Sequence, residues 1–176
     1  MERIDELDKY RAAADELELE RPAFELAFRW LENNRPAAGD ATFVHGDFRL
    51  GNLIVDEAGL SAVIDWELAH VGQPMEDLAW LCVKAWRFGG SEPVAGIGSY
   101  DDLLEAYGAA SGRPVDRAVL RWWEVLGSLK GGIMCGRQAQ VHLSGEYPSV
   151  ELAAIGRRIV EQEQDVLRLI DEAGQE

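Results

Sequence analysis

Residues 44–52 read VHGDFRLGN, and residues 64–67 read IDWE. Two β-prone segments, 53–55 and 60–64, lie between these strings. The residues that join the two segments, 56–59, read DEAG and have the composition of a hairpin loop. The two strings therefore stand at the two ends of a predicted β-hairpin, and a hairpin brings its ends together.

Three polar side chains of these strings suit phosphoryl transfer. That reaction needs an in-line geometry, neutralised phosphate charge and a carboxylate that orients the attacking hydroxyl and accepts its proton. Asp47 follows a β-prone segment and can present its carboxylate to a cleft. Asn52 offers a neutral oxygen of the kind that Mg²⁺ accepts as a ligand. Because the hairpin should return Asp65 to the neighbourhood of Asn52, we expect the three groups to converge around one ion-sized gap.

Two other interpretations use the same residues. Asp47 and Asn52 alone could belong to a polar turn, since Asp and Asn are common in loops. A metal-dependent hydrolase is also conceivable, because mixed sets of His and carboxylate bind zinc or manganese. The ligands of such a site would be His45, Asp47, Asp65 and His70. The asparagine at its fixed spacing, in a chain with three histidines in all, favours phosphoryl transfer.

The motif His-Gly-Asp-x-x-x-x-Asn at 45–52 resembles the kinase catalytic loop, His-Arg-Asp-x-x-x-x-Asn. Its glycine, together with Ile-Asp-Trp-Glu at 64–67 in place of Asp-Phe-Gly, resembles the aminoglycoside phosphotransferase and choline kinase superfamily. The sequences of residues 43–52, 65–67 and 72–79 (Gly-x-Pro-x-x-Asp-Leu-Ala) are similar to those of one subgroup of that superfamily. This subgroup includes the kinase-like domain of some acyl-CoA dehydrogenases.

The resemblance implies an ATP-dependent phosphotransferase that acts on a hydroxyl group of a small molecule. It implies that Asp47 is the catalytic base, and that Asn52 and Asp65 hold Mg²⁺ and, through it, ATP. It also implies two supporting roles. His45 would brace the loop by hydrogen bonding, and Asp77 would tie the start of its helix to the same loop.

The sequence departs from the family before the motif. Family enzymes carry an N-terminal β-rich lobe with a glycine-rich loop and a strand lysine that hold the nucleotide. Residues 1–44 contain one glycine, Gly39, and one lysine, Lys9, in a helical context. We therefore expect the ATP-binding lobe to be absent and the isolated chain to have weak or no activity. A separate N-lobe protein or a homodimer could complete the site; a non-catalytic remnant that binds a ligand or partner is the alternative.

The predicted fold is α+β and mostly α, a protein-kinase-like C-terminal lobe in which a small hairpin carries the catalytic loop. Residues 1–176 are predicted to form one domain, with a peripheral helix in 1–20 and the core in 21–173. Helices are expected at 2–18, from Pro22 to about 33, at 74–88, from Ser99 to 111, at 116–142 and at 148–174. The strands are expected at 42–45, 53–55 and 60–64.

Composition excludes several classes of function. The formal net charge is −15, and nucleic-acid binding needs clustered Lys and Arg, so no nucleic-acid partner is expected. No signal peptide and no membrane-spanning run are visible, which predicts a soluble cytoplasmic protein without a membrane partner. Cys82 and Cys135 stand far apart in helical sequence, so we expect free, buried thiols rather than a disulfide or a zinc site.

Overall fold

The computed structural model of the chain describes residues 5–37, 39–113 and 115–175. These residues form seven α-helices: α1 (Glu6–Glu16), α2 (Pro22–Asn33), α3 (Pro74–Cys82), α4 (Tyr100–Ser111), α5 (Arg117–Leu143), α6 (Val150–Arg157) and α7 (Ile159–Ala173). They also form four short strands: β1 (Thr42–Val44), β2 (Leu53–Asp56), β3 (Gly59–Val63) and β4 (His70–Gly72). The mostly helical fold class predicted from the sequence is confirmed.

The described chain divides into two compact units. One unit extends from Pro36 to Glu124, and the other joins Asp5–Arg35 to the residues from Val125 onward. The division falls inside α5. Every residue proposed above for the site belongs to the first unit, and the prediction of a single domain remains a prediction.

Two antiparallel strand pairs form the β-structure of the first unit. Strands β2 and β3 pair as the predicted hairpin, with Leu53 opposite Val63. Strand β1 pairs with β4, so that Val44 faces His70. The sequence analysis missed β4, which has three residues and too little alternation to predict a strand. It exists because β1, far away in sequence, supplies its hydrogen-bonding partner.

Helix α3 begins where predicted and ends earlier than predicted. Pro74 occupies its first turn, where a missing amide hydrogen costs nothing. The predicted end at Phe88 is wrong, because Val83 adopts extended backbone (ψ 128°) and interrupts the helix after Cys82. A separate 3₁₀ turn, Lys84–Trp86, follows and carries an indole ring toward the site described below.

The ends of α4 follow directly from the sequence. The Ser99 hydroxyl accepts the amide hydrogen of Asp102, and the Asp102 carboxylate accepts the Ser99 amide hydrogen, which completes a capping box. Gly112 ends the helix in the left-handed conformation, which glycine adopts without steric cost. The helix predicted from Ser99 to 111 is therefore confirmed.

A buried ionic cluster fixes α4 to α5 within the first unit. The Glu124 carboxylate is almost fully buried and accepts hydrogen bonds from the Tyr100 hydroxyl at 2.8 and 2.9 Å. Arg87 and Arg121 lie within 3.4 and 3.3 Å of the same carboxylate. Burial raises the pKa of Tyr100 well above its usual range, and the neighbouring Glu124 carboxylate adds to the effect. Burial likewise raises the pKa of the Cys82 thiol.

The second unit packs its helices through close glycine contacts. A Cβ at Gly132 of α5 would lie 2.3 Å from Phe24 Cζ of α2, and one at Gly136 would lie 2.9 Å from a Leu19 methyl. Gly132 and Gly136 therefore allow neighbouring side chains to pack closely against α5. The single C-terminal helix predicted over 148–174 is wrong, because ψ of −4° at Arg158 separates α6 from α7.

Two further sequence-based expectations can be compared with the coordinates. Cys82 and Cys135 are both free thiols; Cys82 is buried, whereas Cys135 is half-buried. Among the helices of the described ranges, none is long and apolar enough to cross a membrane.

Candidate active site

The loop that follows β1, residues 45–52, is held to α3 by one carboxylate. Asp77 Oδ2 accepts the His45 amide hydrogen at 2.7 Å, and Asp77 Oδ1 accepts the Gly46 amide hydrogen at 2.9 Å. Gly46 has a φ of +80°, and its position is crowded, since a Cβ there would lie 2.5 Å from the Leu68 carbonyl oxygen. A glycine and an aspartate thus define the turn that presents Asp47.

His45 braces the same loop from inside. Its side chain is buried, and its Nδ1 accepts the amide hydrogen of Asp47 at 3.1 Å. An amide nitrogen can only donate, so Nε2 is the nitrogen that carries hydrogen, and it donates to the Ile64 carbonyl oxygen at 2.8 Å. One imidazole therefore connects the start of the loop to the end of the hairpin.

The Asp47 carboxylate accepts hydrogen bonds from three side chains. Trp80 Nε1 donates to Oδ1 at 2.7 Å, and Asn52 Nδ2 donates to Oδ2 at 2.8 Å. Arg49 Nε lies 3.3 Å from Oδ1 and 3.1 Å from Oδ2. The two short, single contacts fix the orientation of the carboxylate, and the longer, shared contact with Arg49 is the one that a substrate hydroxyl could displace.

The hairpin brings its two ends together as predicted. The Ile64 amide hydrogen bonds to the Asn52 carbonyl oxygen at 3.0 Å, so the residue before Asp65 pairs directly with Asn52. Asp65 itself adopts the left-handed conformation, with φ 70° and ψ 55°. Asp tolerates this region better than most residues do, and backbone held there concentrates at functional sites.

Two oxygen groups of this cluster have no hydrogen-bond donor among the residues that the structure describes. The Asn52 amide nitrogen donates its hydrogen bonds to Asp47, and Asn52 Oδ1 receives none. Asp65 is exposed, and its carboxylate likewise receives no hydrogen bond. A carboxylate and an amide oxygen left available in this way fit a hard divalent cation such as Mg²⁺. The donor-saturated Asp47 carboxylate fits that role less well.

The hydrolase interpretation loses support from the histidines. Both ring nitrogens of His45 are engaged, as described above. His70 differs, because both of its ring nitrogens face oxygen atoms: Nδ1 lies 2.9 Å from the Leu68 carbonyl oxygen and Nε2 lies 3.1 Å from Glu76 Oε2. A metal ligand needs a free nitrogen lone pair directed at the ion, and His45 offers none without breaking its contacts.

Sequence reasoning missed three residues of the site. Arg49 lies in the quoted string, but its contact with Asp47 needs a side-chain geometry that no spacing rule specifies. The sequence analysis did not single out Trp80 and Trp86. Trp80 is buried, and its Nε1 donates to Asp47, whereas Trp86 places its ring 4.9 Å from the Arg49 guanidinium. A buried indole nitrogen usually needs a polar partner, and that rule was the available signal.

A cavity of about 320 Å³ lies elsewhere in the first unit, beside the start of α3. Gln73, Pro74, Met75, Tyr107 and Val119 are among its lining residues. None of the residues that line it belongs to the 45–52 loop or to 64–67. The cavity is therefore separate from the cluster around Asp47.

Sequence comparisons connect the chain to kinase-like proteins. The profile of the Phosphotransferase enzyme family matches residues 2–123. Acyl-CoA dehydrogenase family member 10 of Mus musculus is 43% identical over 75 residues, which are 42% of this chain and 7% of that protein. Probable acyl-CoA dehydrogenase IBR3 of Arabidopsis thaliana is 35% identical over 127 residues, 60% of this chain and 15% of the relative. The chain thus spans a small part of these curated relatives.

Solved structures show the same fold. A candidate aminoglycoside phosphotransferase of Ralstonia eutropha aligns with a TM-score of 0.80 at 22% identity, over 95% of this chain and 54% of the other. Spectinomycin phosphotransferase, solved with ADP and spectinomycin, aligns with a TM-score of 0.52 at 13% identity, over 100% of this chain and 51% of the other. The chain corresponds to about half of each solved protein.

Proposed function

Because this chain belongs to the phosphotransferase enzyme family, we propose that it is the catalytic lobe of an ATP-dependent enzyme that phosphorylates a hydroxyl group of a small molecule. One observation carries the proposal. Asp47 and Asn52 are in direct hydrogen-bond contact, and the backbone bond between Asn52 and Ile64 brings the neighbouring Asp65 to the same end of the hairpin.

Asp47 is the catalytic base in this proposal. Trp80 and Asn52 hold its carboxylate from two sides, so its direction is fixed before substrate arrives. The acceptor hydroxyl takes the place of the long Arg49 contact and gives its proton to the carboxylate as the phosphoryl group is transferred. A positioned base of this kind contributes about 10²–10⁴-fold to a rate.

Asn52 and Asp65 would hold the metal, because their oxygens are the ones without protein donors in the described ranges. Mg²⁺ held there would supply charge neutralisation to the phosphates of ATP. The Asn52 contact with Asp47 would keep the metal-binding oxygen of Asn52 next to the base. His45 and Asp77 keep that position by fixing the loop, and they contact neither phosphate nor acceptor.

The face around the hairpin supports a partner lobe. Seven large apolar side chains are exposed there: Phe43, Ile54, Val55, Leu60, Ile64, Trp66 and Leu68. Phe43 and Trp66 stack with ring centroids 5.8 Å apart, which makes a flat apolar surface beside Asp65. Large apolar side chains exposed in one region of a surface are typical of interaction sites. We assign this face to a nucleotide-binding lobe, since the solved relatives are about twice as long as the aligned region.

Metal and nucleotide binding test the function directly. Mn²⁺, used as a paramagnetic substitute for Mg²⁺, should bind the chain weakly and about tenfold more tightly with ATP present, since the phosphates complete its oxygen ligands. Asp65→Asn should abolish the ATP-dependent increase. Glu57→Gln is the matched control, because it removes the same charge from the exposed hairpin loop. Tight, stoichiometric Zn²⁺ binding that does not depend on ATP would support the hydrolase and contradict our assignment.

Turnover tests the partner lobe. We expect the chain alone to consume ATP poorly, and a nucleotide-binding lobe added in excess to restore ATP consumption that Asp47→Asn then removes. Sedimentation should show a monomer without that lobe. A stable dimer that Val55→Asp dissociates would instead make a second copy the occupant of this face.

A further inference from the structure

We propose that Arg49 binds the phosphoryl group during transfer and that Trp86 holds the guanidinium ready for it. The inference rests on the proposed phosphotransferase function and adds a phosphate-binding residue to it. Its starting point is the unequal use of the donors of Arg49. Nε contacts the Asp47 carboxylate, whereas the terminal nitrogens donate to no residue in the described part of the chain.

The Arg49 guanidinium is held by Asp47 at Nε and by the Trp86 ring. Its central carbon lies 4.9 Å from the centroid of the Trp86 ring, within the range of a cation–π interaction. The Trp86 ring in turn packs against Trp80, with centroids 5.3 Å apart, and Trp80 is the residue that donates to Asp47. Arg49 and the base are therefore positioned by one pair of neighbouring indoles.

Gly51 supplies the space that this arrangement needs. A Cβ at Gly51 would lie 2.3 Å from Arg49 Nη1. The φ angle of Gly51 is not positive, so the backbone itself does not require glycine there. The absence of a side chain at position 51 therefore makes room for the guanidinium and not for an unusual turn.

A structural ion pair explains these features less well. A partly exposed pair such as Arg49 with Asp47, whose side chains are 25% and 15% exposed, contributes about 0–1 kcal/mol. A stabilising ion pair would need neither the unused terminal nitrogens nor the space at Gly51. Arginine binds phosphate oxygens through two parallel N–H groups, and the free end of Arg49 offers such a pair beside the base.

A phosphate-binding Arg49 would also set the order of events. In the unliganded chain Arg49 neutralises Asp47 and keeps the guanidinium at the site. When a phosphate accepts hydrogen bonds from the terminal nitrogens, the guanidinium is drawn toward the phosphate and its long contact with Asp47 weakens. The carboxylate then becomes available to the acceptor hydroxyl only when the phosphate is present.

Tripolyphosphate with Mg²⁺ is a suitable probe, because it carries the phosphate chain without the adenosine that another lobe would hold. We expect the chain to bind it, and Arg49→Gln to weaken binding about 10- to 100-fold, the range for a hydrogen bond between charged groups. Arg49→Lys should recover part of the loss. Gly51→Ala should weaken binding in the same direction, because it keeps the charge and displaces the guanidinium.

Arg113→Gln is the matched control. Arg113 is a half-exposed arginine of the same unit, 3.9 Å from Asp40, so its loss changes the net charge equally and leaves the site intact. Binding measured by calorimetry should be unchanged in this variant. Tryptophan fluorescence should change on binding in the wild type and lose that change in Trp86→Phe.

The outcomes separate this inference from the proposed function. If Arg49→Gln binds tripolyphosphate as Arg113→Gln does, or if the wild type does not bind it, the role of Arg49 is wrong. If Asp65→Asn removes the Mg²⁺ dependence while Arg49→Gln has no effect, the metal site stands and only the Arg49 assignment fails. If Arg49→Gln weakens binding and Asp65→Asn does not, the phosphate site stands and the metal assignment fails.

Discussion

Replacing Asp77 by Asn should destabilise the 45–52 loop, because this half-buried carboxylate holds the loop to α3. Asp77 uses one carboxylate oxygen for the His45 amide and the other for the Gly46 amide, at 2.7 and 2.9 Å. Asparagine keeps one acceptor oxygen and turns its NH₂ group toward the other amide hydrogen. One charge-assisted bond is lost, and a buried donor is left facing a donor.

The magnitude follows from these two contacts. A hydrogen bond to a charged group contributes about 1.5–3 kcal/mol, and an unsatisfied buried amide adds a further desolvation cost, so we expect a loss of about 2–4 kcal/mol. With a urea m-value of about 2 kcal/mol/M, the unfolding midpoint should fall by about 1–2 M. Asp101→Asn is the matched control, because Asp101 also lies in the first turn of a helix and makes no such bonds. It should cost about 0.3–1 kcal/mol through the helix dipole alone.

Urea unfolding followed by far-UV circular dichroism measures the global effect, and amide hydrogen exchange locates it. The His45 and Gly46 amides should exchange faster in Asp77→Asn by about tenfold for each 1.4 kcal/mol lost. If Asp77→Asn and Asp101→Asn unfold at the same urea concentration and both amides stay protected, Asp77 does not hold the loop and our account of the site is wrong.

Two further predictions concern the backbone and the buried acids of the first unit. Gly46→Ala should lower stability by about 2–5 kcal/mol, because it combines a strained positive φ with a Cβ pressed against the Leu68 carbonyl; a thermal midpoint within about 2 °C of the wild type would contradict this. Burial raises the pKa values of Cys82 and Tyr100, so the unfolded chain loses these protons at a lower pH than the folded chain does. Their contribution to the free energy of unfolding should therefore be complete below about pH 8.5 and should decrease as the pH rises. This decrease should be less steep in Cys82→Ala and in Tyr100→Phe. Urea midpoints that stay constant from pH 8 to 11 would refute it.

Local signals predicted the starts of α2, α3 and α4 because each such signal acts within a few residues. The capping box at Ser99 and the left-handed Gly112 marked both ends of α4. Pro22 and Pro74 marked the starts of α2 and α3. The capping residues satisfy free backbone groups within one helical turn, and proline has no amide hydrogen that needs a partner. Neighbouring sequence is therefore enough to predict these helix ends.

Signals that depend on distant residues were missed. Strand β4 has only three residues and pairs with β1, which lies more than twenty residues earlier. The early end of α3 comes from an extended Val83, a residue with no breaker character of its own. In both places tertiary contacts decide the backbone, and local preference carries too little free energy to resist them.

The sequence by itself determined which groups the backbone brings together: the spacing from Asp47 to Asn52 and the hairpin that returns Ile64 to Asn52 follow from residue order alone. Tertiary structure decided how those groups are held. Trp80 reaches Asp47 only after α3 and the loop have packed together, and Asp77 reaches the loop across more than thirty residues of chain. Hydrogen bonds need distances near 3 Å, and folding alone brings residues so far apart in sequence to that distance.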